Sequence, residues 1–76
     1  MSKLPQISAK ELIKILGKRG FIIISQRGSH IKLRKFKPVK KTVIVPNHKI
    51  IRPGTLNNIL KFAEITKEEL AKLLKK

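Results

Sequence analysis

Cysteine, aspartate, tryptophan and tyrosine are all missing from this 76-residue chain, and each absence closes off a chemistry. Without cysteine there is no disulfide framework, no zinc-finger ligand set and no thiolate nucleophile. Without aspartate a Ser-His-Asp triad lacks its orienting carboxylate. The acids present are Glu11, Glu64, Glu68 and Glu69, so residues 12–63 contain none. Convergent carboxylates for magnesium, or the carboxyl pair of a glycosidase, are out of reach. Any catalysis must therefore proceed without a metal held by the protein, and no cofactor is implied. Of three phenylalanines, Phe21 and Phe62 are expected in the core, which leaves Phe36 as the one candidate platform for base stacking. No apolar run approaches the ~20 residues that span a bilayer, and residues 1–5 lack the form of a secretory leader. The expectation is a soluble cytoplasmic protein with no membrane attachment.

What is present is positive charge. Nineteen Lys and Arg against four Glu give a net charge of +15, and the acid-free stretch holds most of these cations. Such a balance points to a polyanionic partner. The apolar content of 41% supports a folded core rather than disorder. No internal repeat or linker divides the chain, so residues 1–76 read as a single domain. A domain of this size buries only about 60% of the surface of its unfolded chain.

Periodicity predicts the elements. Ser8-Ala9-Lys10-Glu11 has the form of a capping box, and Ala9, Leu12, Ile13 and Leu16 follow as one helical face, with Gly20 as terminator. Residues 21–26 are short and β-branched, a strand. Arg27-Gly28-Ser29 is a turn, after which His30-Ile31-Lys32-Leu33-Arg34-Lys35 alternates with period two. Ile31 and Leu33 should face the core, with His30, Lys32 and Arg34 on the other face. Residues 36–41 form a basic hairpin loop, and Thr42-Val43-Ile44-Val45 is a third strand stopped by Pro46. Residues 47–52 connect to a helix with Pro53 in its first turn and Leu56, Ile59, Leu60 and Ala63 on its apolar face. Thr66-Lys67-Glu68-Glu69 opens a last short helix carrying Leu70, Leu73 and Leu74, and Lys75 and Lys76 read as its solvated end. The fold class is α+β: an α-β-β-β-α order with a short extra C-terminal helix. Short connections make the three strands antiparallel neighbours, and two helices cover one face of the sheet. His30, Lys32 and Arg34 then stand on the uncovered face.

Four motifs in this order resemble the HicA toxins: Gly20-Phe21, then Arg27-Gly28-Ser29-His30, then Val45-Pro46-Asn47-His48, then Pro53-Gly54-Thr55-Leu56 with Ile59-Leu60-Lys61. Thr66-Lys67-Glu68-Glu69-Leu70 is also similar to that family, and the likeness runs over residues 8–74. The resemblance implies a fold like the double-stranded RNA-binding domain and the toxin of a toxin–antitoxin pair. It implies an endoribonuclease acting on mRNA with His30 as catalytic residue, Gly28 and Ser29 shaping the turn before it, and a HicB-type antitoxin as partner.

A single histidine can supply the base for that chemistry. RNA supplies its own nucleophile, the 2′-OH, so the protein needs a base, charge stabilisation and orientation. An imidazole is mostly neutral at pH 7 and serves as the base. Arg27, Lys32 and Arg34 are the candidate phosphate and RNA contacts, and Gly28 lets backbone approach without a Cβ in the way. His48 is open to two readings, general acid or loop residue, because nothing in the sequence brings the two histidines together. Ser29 lacks the neighbouring base and acid that would make it a nucleophile. The rival reading is a basic nucleic-acid-binding module of the same fold without catalysis. A helix-turn-helix DNA reader is disfavoured by the three intervening strands. The charge predicts an acidic antitoxin partner and a monomer when free.

Overall fold

Residues 6–37 and 39–74 are described by a computed structural model of the chain. The readings made above for residues 1–5, Pro38, Lys75 and Lys76 lie outside them. The elements are α1 (Ala9–Lys18), β1 (Ile22–Arg27), β2 (His30–Lys35), β3 (Lys41–Pro46), α2 (Pro53–Ala63) and α3 (Lys67–Leu74), in the predicted α-β-β-β-α order with the extra helix.

Both capping boxes close. The Ser8 hydroxyl accepts from the Glu11 N–H at 3.1 Å while the Glu11 carboxylate accepts from the Ser8 N–H at 2.9 Å. Thr66 and Glu69 repeat the exchange ahead of α3, with both bonds at 3.0 Å. Each exchange satisfies two amides that a helix start otherwise leaves open. The buried stripe of α1 is Ala9, Leu12, Ile15 and Leu16. Ile13, expected on that stripe, is half-buried at its flank, and Ile15 takes the central place. Gly20 follows with φ 97°, left-handed backbone that a side chain would strain, and the Phe21 N–H turns back to the Leu16 carbonyl at 3.0 Å.

The sheet order is β1-β2-β3, antiparallel throughout, so β2 is central. A two-residue turn, Gly28-Ser29, joins β1 to β2, and Gly28 adopts φ 58° at the first turn position, where hairpin geometry favours glycine. Val43 and Val45 of β3 are buried beneath α1 and α2, and Ile31 and Leu33 of β2 are buried in the same core. Leu12, Leu16, Leu56 and Leu70 meet them from the helices, and α3 packs chiefly on α1. The helices do not extend over β1, whose six residues are all exposed. Ile23 lies opposite Leu33, on the helix side, yet is 54% exposed. An irregularity at Ile24 resets the side-chain alternation, so that Ile22 pairs with Arg34 while Ser25 pairs with Lys32 and Arg27 with His30.

Phe62 corrects one expectation. It is 50% exposed, not core. At about 100° per residue it falls outside the stripe of Leu56, Ile59, Leu60 and Ala63 that α2 turns to the sheet. It packs instead at the seam between α2 and β3. Lys41 stands over its ring at 5.8 Å and donates to the Phe62 carbonyl at 3.2 Å. The same ammonium pairs with Glu64 at 2.6 Å, tying the start of β3 to the end of α2. Glu64 itself holds φ 60° as the α2 cap, where glycine is the usual occupant.

Two outcomes follow from this packing. Leu33→Ala is expected to cost about 2–5 kcal/mol in urea unfolding, enough to unfold much of so small a domain, while Ile23→Ala costs about 1 kcal/mol or less, because only the former leaves a cavity. Lys41 holds the Glu64 carboxyl below its ordinary value of 4.5, by hydrogen bond first and by charge second. The stabilisation is present above that value and lost as pH falls through the lowered one. The Tm gap between wild type and Lys41→Met should therefore narrow on acidification below about pH 4.5, as thermal melts across pH 3–6 would record.

Candidate active site

On the open face, the register places three rows side by side. Arg27, His30 and Pro46 form one row, Ser25, Lys32 and Ile44 the next, and Ile22, Arg34 and Thr42 the third. His30, Lys32 and Arg34 thus stand where the alternation of β2 predicts. Ile31 and Leu33 hold them there, because a slip of one residue would exchange the two sets.

The first two rows enclose a cleft of about 560 Å³ lined by Ser25, Gln26, Arg27, His30, Lys32 and Ile44. A second cleft of about 350 Å³ adjoins it, lined by His30, Ile44, Pro46, His48, Arg52 and Thr55. His30 and Ile44 belong to both, so His30 forms part of the wall between two neighbouring depressions. No carboxylate lines either one.

The expected site residues divide accordingly. Arg27, His30 and Lys32 come together in the first cleft. Gly28 and Ser29 make the turn that presents His30, and the Ser29 carbonyl accepts from the Asn47 N–H at 2.6 Å, stitching that turn to the loop after β3. Arg34 stands apart from the clefts, with its Nε donating to the Thr42 hydroxyl at 2.9 Å. Sequence reasoning missed Ile44, Arg52 and Thr55. It named His48 without a position, and the structure supplies one. With Pro46 opposite His30, His48 follows two residues later and reaches the same cleft.

The acids lie elsewhere. Glu64 is engaged by Lys41, with Lys35 and Arg19 adding weaker attraction, and Glu69 bonds the Thr66 N–H and faces Arg19 at 3.4 Å. Both carboxyls are held below their ordinary values by those partners. The clefts are left with cations, imidazoles and neutral groups. Among the described residues no cluster of three or more His, Cys, Asp or Glu is placed to hold a metal ion, and no helix is long and apolar enough to cross a membrane.

A family model described as the HicA toxin of bacterial toxin–antitoxin matches residues 9–65, which takes in α1, the whole sheet, both clefts and α2. Comparison with curated proteins and with solved structures gives no significant match. The match covers three-quarters of the chain and the four motifs from Gly20-Phe21 to Ile59-Leu60-Lys61. This chain belongs to the HicA toxin family and is the toxin of a toxin–antitoxin pair.

Proposed function

We propose that this HicA-family toxin is a metal-independent endoribonuclease that cleaves mRNA in the cytoplasm, with His30 as the general base. The observation that carries the reading is the position of His30, exposed among cations on the open sheet face and shared by two adjoining clefts. A single strand of RNA laid across the face puts one nucleotide in each cleft and the phosphate between them at His30. The 2′-OH on one side of that phosphate loses its proton to the neutral imidazole and attacks phosphorus. Arg27, directly opposite His30, and Lys32, one row along, take up the charge that grows on the non-bridging oxygens. Arg34 extends the cationic track by one further row and suits contact with a more distant phosphate. Gly28 and Ser29 keep the approach low, since a tight turn rather than a side-chain wall borders the imidazole.

The same surface suits the antitoxin. A HicB-type partner with acidic groups complements Arg27 and Lys32, and by covering the open face it excludes RNA. That face is not purely polar. Ile22 and Ile44 stand exposed among the cations, at 54% and 50%, so a partner buries apolar area inside a charged rim.

Replacing His30 with Ala is expected to abolish cleavage of single-stranded RNA, measured in EDTA, and to relieve growth inhibition. Salt-dependent RNA binding and the thermal melt stay near wild type, because the side chain is exposed. Retained cleavage would exclude His30 as the base, and binding with no cleavage by the wild type would favour the non-catalytic module. For the complex, stopped-flow mixing with the HicB-type partner should show association slowing by about tenfold or more between low and high salt, while dissociation changes little. A dissociation rate that rises as steeply as association falls would mean that charge, and not the isoleucines, holds the pair.

A further inference from the structure

Cleavage of a phosphodiester by a 2′-OH requires two proton transfers, and His30 accounts for one. The O5′ oxygen that departs is strongly basic and needs a proton as its bond to phosphorus breaks. Among the acids, Glu11 serves its capping box, Glu64 and Glu69 are bound to their own partners, and none lines a cleft with His30. Arginine holds its proton too tightly to give it up. Imidazolium, acidic near neutrality and still present there, is the side chain suited to the task.

We propose that His48 is the general acid of the reaction, and this assignment rests on the ribonuclease reading of His30. The two histidines line one cleft of about 350 Å³ together with Ile44, Pro46, Arg52 and Thr55. The backbone of His48 is held on several sides. Its N–H donates to the Pro46 carbonyl at 2.8 Å, its carbonyl accepts from the Ala9 N–H at the start of α1 at 3.0 Å, and the preceding Asn47 N–H is fixed to Ser29, the neighbour of His30, at 2.6 Å. Those bonds use main chain only. Neither imidazole is hydrogen-bonded to another described residue, so neither ring is tied to a protein partner, and both residues line the cleft. Arg52 stands beside them at the N-cap of α2 with no side-chain capping bond, a cation placed for the phosphate's non-bridging oxygens.

The step balances. Neutral His30 takes the 2′-OH proton, the O2′–P bond forms and the P–O5′ bond breaks. Protonated His48 gives its proton to O5′. The products are a 2′,3′-cyclic phosphate and a free 5′-OH, and water resets both rings. The arrangement also sets the direction of the strand. The nucleotide that supplies the 2′-OH lies in the cleft of Ser25, Arg27 and Lys32, and the departing nucleoside lies in the cleft of His48 and Arg52.

A leaving-group comparison tests this. One substrate is a short RNA with a single ordinary linkage. The other is the same RNA with sulfur replacing the bridging O5′, whose thiolate departs without a proton. The His48→Ala variant is expected to cleave the ordinary linkage at least about 100-fold more slowly than wild type and the sulfur linkage within about threefold of it. His30→Ala should lose both, since each linkage needs the base. Retained cleavage of the sulfur linkage itself shows that His48→Ala is folded. Equal losses on the two substrates, or no loss on either, would overturn the acid assignment and leave the His30 reading intact. A wild type that cleaves neither would overturn both.

Discussion

Everything in this domain depends on a sheet that is covered on one face only. Three strands need one apolar layer above them, and α1 and α2 supply it over β2 and β3. The alternation of β2 is the hinge of the arrangement. Ile31 and Leu33 point into that layer, and His30, Lys32 and Arg34 must therefore point out of it. The core and the proposed site are thus set by one register. A slip of one residue would carry three charged or polar groups into the core and both apolar anchors into water, at a cost far beyond the stability of so small a domain. The Gly28-Ser29 turn and the Asn47–Ser29 bond fix that register at the end where His30 sits, which is the end where a small displacement would matter most for the proposed chemistry.

Charge is distributed as sharply as polarity. The described carboxylates are gathered at helix termini, where Glu11 and Glu69 complete capping boxes and Glu64 binds Lys41. Glu11, Glu64 and Glu69 thus support secondary structure or a seam between elements, and no carboxylate lines the clefts of the open face. Arg27, Lys32 and Arg52 are left to act on a ligand, and the imidazoles sit in a field without a nearby anion of the protein's own. For a polyanion this is an attractive surface whose contacts with backbone phosphate carry no sequence information. On the proposed reading, any preference for particular sites would come from how a strand fits the two clefts that share His30.

Much of this was legible in the chain, and the reasons for the gaps are physical. Capping boxes and the alternation of β2 are local, since the chemistry that forms them is contained in four to six consecutive residues. Ser8–Glu11, Thr66–Glu69 and the faces of His30 to Lys35 were readable for that reason. Phe62 was misplaced because aromatic character argues for burial, whereas its angular position on α2 and the reach of Lys41 from β3 decide the matter, and the second of these is a contact 21 residues distant. Residues 21–26 announced a strand, but nothing in them reveals that the helices stop short of it, because coverage belongs to the neighbours. The place of His48 is the plainest case. Eighteen positions separate the histidines in sequence, and only the pairing of His30 with Pro46 turns that distance into a shared cleft.

The same charge that draws a ligand works against the fold. A net +15 on 76 residues repels itself, and the described ion pairs, Lys41–Glu64 and Arg19–Glu69, relieve only a corner of it at the exposed ends of helices. The exposed isoleucines of β1 and Ile44 add surface that water does not favour. An antitoxin bound to the open face, as proposed, would remove both burdens together, since it would neutralise cations and bury apolar area only when the register of β2 is correct. A partner that binds the folded chain and not the unfolded one stabilises it by mass action. On the proposed reading inhibition and stabilisation are then one event, and release from the partner would return a domain less stable than it was in the complex.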